Sequence, residues 1–289
     1  MKILQVLFLF IDIVKNKIYN ESMDKLLVER VAFTIFGLDI YWYGIIITSA
    51  ILIGFGLLFV LRKREGLNAD APFDLMLFVV PLAILGARTF SVIFEPSLGI
   101  SDFFDIRNGG MSIIGSCIGG AIGITLYCII KKKNFLSICD LICPLLILGQ
   151  AIGRWGNFFN SEVYGKEIFD TALQWFPLAV NVGGRWFMAL FFYESVLDFL
   201  GFIILISLFY LSKRSKGVIL ASYLTYYGLV RFVLESFRQE KYILRWGNIP
   251  ISKLCSGIMV LIGVVLFIVI FIQSKKTSKG KVGYGKERV

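Results

Sequence analysis

Two short strings concentrate the polar chemistry of an otherwise apolar chain. Tyr227, Arg231, Glu235 and Arg238 follow one another at intervals of four, four and three, the spacing that places side chains on one face of a helix. The stretch Gly149 to Gly165 reads GQAIGRWGNFFNSEVYG and sets Arg154, Asn157, Asn160 and Glu162 among apolar and glycine neighbours. Arginine's planar fork of donors suits a phosphate or carboxylate bidentately, and asparagine amides beside it suit hydroxyl groups. Gly109 and Gly110, close to Ser112 at a helix start, and Gly153 and Gly156 around Arg154 let backbone approach a ligand closely. The chemistry on offer is the binding of an anion.

The elements that must position these residues are membrane helices. The chain has 289 residues, 57% of them hydrophobic, with a mean hydropathy of +0.78, above the range of soluble domains. Seven stretches are long and apolar enough to cross a bilayer, at roughly 43–61, 74–94, 111–130, 138–159, 189–211, 217–237 and 251–273. The expected fold is all-α, a polytopic membrane protein of seven transmembrane helices with a small extracytoplasmic head over Gly165 to Met188. The net charge of +10 does not describe a nucleic-acid-binding face, because the basic residues stand in short clusters between apolar runs. Clusters at residues 62–64, 131–133 and 213–216 and in the tail from Lys275 onward lie on alternate connections and hold half of the 30 lysines and arginines. The positive-inside rule then places the N-terminus outside and the C-terminus in the cytoplasm. Three parts result: an extracytoplasmic segment 1–42, a transmembrane domain 43–273, and a basic cytoplasmic tail 274–289 lying unstructured against anionic headgroups. The apolar run 1–14 is too short to span and reads as an interfacial or poorly specified helix, with a signal peptide as the alternative.

With that orientation, the arginines acquire a depth. Arg88 lies 14 residues after Asp74, Arg154 lies 17 after Ser137, and Arg231 lies 13 after Val218. At the helical rise each is about 20 to 25 Å from the cytoplasmic end of its span, in the outer leaflet. Tyr43, in the YWYG string of Tyr41 to Gly44, and the NGGMS string of Asn108 to Ser112 approach that level from the other side. Plainer readings stand beside this one: Arg154 snorkelling to a helix end, Trp42 in an interfacial aromatic belt, and Arg231 with Glu235 as a structural ion pair. Arg154 has no obvious partner on its own helix, so its counter-anion must come from elsewhere. The depth and the residue types together describe a site for an anionic lipid headgroup.

These strings resemble the motifs of the prolipoprotein diacylglyceryl transferases. The similarity runs from Tyr41 to the last span through YWYG, the GAR of Gly86 to Arg88, NGGMS, GRWGNFFNSEVYG and YGLVRFVLESFRQ. It implies a seven-span enzyme of the bacterial plasma membrane that moves a diacylglyceryl group from phosphatidylglycerol to the lipobox cysteine of a prolipoprotein signal peptide. A thioether forms, glycerol phosphate is released, and no metal or diffusible cofactor takes part. By motif match the resemblance assigns essential roles to Arg154 and Arg231, to Tyr43 and Tyr227, and to Asn157 and Gly165. Arg88, Gly109, Gly110, Ser112, Asn160, Glu162, Glu235 and Arg238 complete the expected substrate-binding set.

Two motifs depart from the family. The chain contains no histidine, which removes histidine metal sites and imidazole-based hydrolase arrangements. Where the family has GGMSxHGG this sequence reads GGMSIIGS, with Ile114 in the histidine position. The family's HPxxLYE resembles MALFFYE at Met188 to Glu194, without its histidine and proline. Glu162, Glu235 or a tyrosinate then remain as bases, although a carboxylate among arginines is a weak one. The alternative is a divergent paralogue or an anionic-lipid binding or transport protein without transferase chemistry. The five cysteines lack CxxC pairing and read as small core residues.

Overall fold

A computed structural model describes residues 30–95, 98–104, 110–211 and 215–283. The expected interfacial helix at 1–14, Gly109 and the last six residues of the tail lie outside the described residues. The described residues are mostly helical, and among them seven helices are long and apolar enough to cross a membrane. In chain order they are α1 (Trp42–Leu61), α2 (Ala71–Phe94), α3 (Ile113–Ile130), α4 (Phe135–Phe159), α5 (Leu190–Tyr210), α6 (Val218–Leu234) and α7 (Ile251–Gly283). Helix α7 continues past Gln273, so the tail is helical as far as Gly283 instead of leaving the helix at the membrane boundary. Among the described residues three short antiparallel hairpins supplement the helices: β1 (Val31–Ile35) with β2 (Leu38–Tyr41), β3 (Ala179–Val182) with β4 (Arg185–Met188), and β5 (Arg245–Trp246) with β6 (Ile249–Pro250).

The chain divides into two compact units. One comprises Ala50–Gly149, Leu200–Gly228 and Ile258–Val289. Its core is aliphatic and aromatic, with Leu61, Leu141, Ile147, Leu205, Phe209 and Ile219 fully buried. Helices α2 and α3 meet along a stripe of small residues. Gly115, Gly119 and Gly123 recur every four positions on α3, and a Cβ on Gly119 would lie 2.0 Å from the Leu82 carbonyl oxygen. In lipid, such a stripe replaces hydrophobic driving force by close backbone packing. Asp140 illustrates how a buried charge is accommodated. Its carboxylate accepts the Gly217 amide at 2.7 Å and the Leu220 amide at 2.9 Å, so α4 caps the positive end of α6. Cys128, Cys139 and Cys143 are buried as expected, whereas Cys117 and Cys255 are exposed on the outer faces of their helices.

The other unit comprises Met1–Ser49, Gln150–Phe199 and Leu229–Gly257. Its core packs Ile46, Phe158, Phe159, Tyr164, Val180, Ala189 and Phe191. The head between α4 and α5 is an extension of this unit. After α4 the chain runs extended between β4 and the segment that follows α6: Gly165 N–H donates to Met188 O at 3.0 Å and Lys166 N–H to Phe237 O at 2.9 Å. Gly165 also bridges to Arg238. A Cβ at Gly165 would stand 2.6 Å from Met188 Cβ and 3.1 Å from Phe237 O, so the glycine is required by close packing of two strands.

Candidate active site

Helices α4, α5 and α6 each bring charge to one place in this second unit. Glu194, four residues into α5, is the hub. Its Oε2 lies 2.8 Å from Arg154 Nε, while its Oε1 pairs with Arg231 and stands 3.8 Å from Arg238. Glu235 takes the other side, 3.1 Å from Arg231 and 3.6 Å from Arg238. Arg231 Nε donates to Ser252 Oγ at 3.1 Å. Asp198, one turn beyond Glu194, is 4.0 Å from Arg154, and neither of its oxygens receives a hydrogen bond among the described residues. Three guanidinium groups thus face three buried carboxylates. The Arg238 guanidinium is pushed below its usual range, first by burial and then by the Arg231 charge, with Glu194 and Glu235 opposing. It nonetheless remains a cation, because arginine is not deprotonated in proteins.

Rotamers at this centre are held from outside it. Trp155 donates its indole N–H to Ser195 Oγ at 3.1 Å, and Ser195 in turn donates to the Ala151 carbonyl at 2.8 Å. That relay ties α5 to α4 immediately beside Glu194 and Arg154. Trp155 also meets Phe191 edge-on, with centroids 5.6 Å apart. A site whose supporting shell is packed in this way keeps its charges at fixed separations.

The end of α4 presents a second polar group. Asn157 and Asn160 both donate from their side-chain amides to Glu162 Oε1, at 3.1 and 3.3 Å. Glu162 is framed by two non-glycine residues in the left-handed region, Ser161 at φ 53° and Val163 at φ 59°. A β-branched residue there costs about 1–3 kcal/mol and is found where surrounding structure over-determines it. Tyr43 comes to the same end of α4, where it packs on Gly156. Burial pushes the Tyr164 phenol up to about 12, which keeps it protonated.

Gly156 explains how Tyr43 reaches this place. A Cβ on Gly156 would lie 2.7 Å from the Tyr43 ring, so the ring rests directly on the α4 backbone. Gly156→Ala is expected to destabilise the protein by about 1–3 kcal/mol, as overpacking does. The penalty should vanish in a Tyr43→Ala background. Thermal unfolding of the two single variants and the double variant checks this.

Several expected residues belong to the other unit. Arg88 belongs to the first unit and donates to the backbone carbonyls of Asp102, Phe103 and Gly110, at 3.1 Å for Phe103 and 2.9 Å for Gly110. Gly110 adopts φ +73°, and a Cβ there would be 2.7 Å from Arg88 Nη1. Arg88 and Gly110 together therefore brace the segment leading into α3. Ser112 caps that helix, accepting the Gly115 amide at 3.4 Å. Ile114 stands exposed in its first turn. Tyr227, one turn before Arg231 on α6, stacks on Tyr223 at 5.6 Å.

Fold and site define a multi-pass membrane protein with a buried arginine–carboxylate centre at the ends of its helices. The chain belongs to the prolipoprotein diacylglyceryl transferase family, whose profile matches residues 30–269. It is 38% identical to phosphatidylglycerol--prolipoprotein diacylglyceryl transferase 1 of Clostridium perfringens over 257 residues, 86% of this chain and 97% of that protein. Against the enzyme of Finegoldia magna it is 41% identical over 243 residues, covering 82% of this chain and 94% of the other. The Clostridioides difficile enzyme is 34% identical over 257 residues, covering 88% and 98%.

Proposed function

We propose that this protein transfers the diacylglyceryl group of phosphatidylglycerol to the cysteine thiol of a prolipoprotein lipobox, at the extracytoplasmic face of the bacterial plasma membrane. The observation that carries the reading is the convergence of Arg154, Arg231 and Arg238 on Glu194. In the reaction the cysteine sulfur forms a bond to the glycerol carbon, the carbon–oxygen bond to phosphate breaks, and the phosphate leaves with that electron pair as glycerol phosphate. Negative charge accumulates on the leaving phosphate, and arginine donors in a site shielded from water stabilise charge of that kind. The phosphate would share these guanidinium groups with Glu194, so the carboxylates hold the arginines in place until the headgroup arrives. The same positive field favours the thiolate over the thiol.

With no histidine in the chain, the thiol proton passes to an oxygen base. The candidates are Glu235, held by two arginines, and Glu162, held by two amides. The extracytoplasmic placement rests on the basic clusters of alternate connections, which the positive-inside rule assigns to the cytoplasm. The test is to incubate purified protein with phosphatidylglycerol and a lipobox peptide and to weigh the peptide by mass spectrometry. Wild type is expected to give the diacylglyceryl adduct. If only the Ile114→His variant gives it, the transferase reading fails and an anionic-lipid binding protein remains.

A further inference from the structure

The β1–β2 hairpin is two-faced. Phe33 pairs with Ile40 and Ile35 with Leu38 on one face, while Thr34 on the other face donates its hydroxyl to Asp39 at 2.7 Å. The apolar face is open: Phe33 and Ile35 are each 49% exposed, and Leu38 is 52% exposed. At the tip, Phe36 is completely exposed and adopts φ 50°, with Gly37 following at φ 77°. A left-handed backbone is unfavourable for an aromatic residue, and glycine or asparagine is the usual solution at such a turn. Nothing among the described residues buries this ring in return. An isolated two-stranded hairpin is also marginal in water and needs its apolar face covered.

What covers it follows from where the hairpin is rooted. Strand β2 ends at Tyr41, and membrane helix α1 begins at the next residue. The Trp42 amide donates to the Arg30 carbonyl at 3.0 Å, closing the hairpin base on the first residue of that helix. The base therefore sits at the membrane boundary, and the strand from Arg30 to the tip reaches about 15–20 Å at the usual rise. The hairpin is thus joined to the first turn of α1 with no linker between them.

We propose that the tip and apolar face of the β1–β2 hairpin insert into the headgroup–acyl boundary of the leaflet where α1 starts. Phe36 is then the deepest group and the Thr34–Asp39 face is turned to water. Burial in lipid rewards the exposed ring that the turn holds at positive φ, and insertion of 5–10 Å is typical of such interfacial anchors, as an order of magnitude. The proposal does not depend on the transfer reaction.

The test places a photoreactive phenylalanine analogue at position 36, and separately at Thr34, in the full chain reconstituted into vesicles of phosphatidylglycerol and phosphatidylethanolamine. After illumination, adducts are identified by mass spectrometry. Lipid acyl-chain adducts at position 36, several-fold more abundant than at position 34, are expected. Three outcomes overturn the proposal: equal lipid yields at the two positions, no lipid adduct at position 36, or cross-links from position 36 to residues 1–29 or to a second copy of the chain.

Discussion

Glu194→Ala is expected to lower stability by about 3–5 kcal/mol, the usual cost of removing one partner from a buried charge network. The magnitude follows from geometry. Glu194 is within ion-pair reach of Arg154, Arg231 and Arg238, so its removal leaves three guanidinium groups facing only Glu235 and Asp198. Against the total stability of about 5–15 kcal/mol that folded domains typically have, this is a large fraction. Glu194→Gln, which keeps shape and a carbonyl acceptor but removes the charge, should fall between wild type and alanine. Thermal unfolding in detergent, followed by tryptophan fluorescence, reads the effect. An unchanged midpoint in Glu194→Ala would show that the cluster does not hold the helices.

Arg154→Ala and Arg231→Ala are expected to reduce transfer by at least about 10²–10³-fold, equivalent to roughly 2.7–4 kcal/mol of lost transition-state stabilisation. The two variants should differ in stability. Arg231 pairs with Glu194 and Glu235 and donates to Ser252, whereas Arg154 pairs with Glu194 and stands 4.0 Å from Asp198, so the two losses strand different carboxylates. Lysine at either position keeps the charge but not the planar fork, and should recover only part of the rate. Measuring kcat/KM separately from unfolding midpoints distinguishes the catalytic loss from the structural one.

How far the site is legible in the sequence depends on whether the partner lies along the helix or across it. The seven spans follow from hydropathy, and the Arg231–Glu235 pair follows from its spacing of four residues. Arg154 requires a counter-anion from another helix, and that anion is Glu194. Sequence reasoning registers Glu194 only as the last letter of MALFFYE. The available signal was the pair Glu194 and Asp198, two acids four residues apart in an apolar span with no base on their own helix. Charge without a local partner points across a bundle for acids as it does for arginines. Arg88 shows the opposite limit. The helical rise gives its distance along α2, but the direction its side chain faces depends on the chain between α2 and α3, which uses it to hold backbone carbonyls. Gly156 reads as a place for close approach and Gly165 enters by motif match, and the structure packs Tyr43 on the first and Met188 on the second. A glycine in a sequence shows that something comes close without naming the neighbour. The hairpins escape prediction because strands of two to five residues carry too little alternation to stand out beside aromatic membrane boundaries.

The most direct test of the central claim, that the arginines converging on Glu194 bind the leaving phosphate, is the transfer assay on wild type, Arg154→Ala and Arg231→Ala side by side. Each protein is first shown to be folded by its unfolding midpoint. The result predicted is a diacylglyceryl adduct on the lipobox peptide with wild type and none above background with either variant. Transfer at the wild-type rate by a folded Arg154→Ala or Arg231→Ala protein would contradict it.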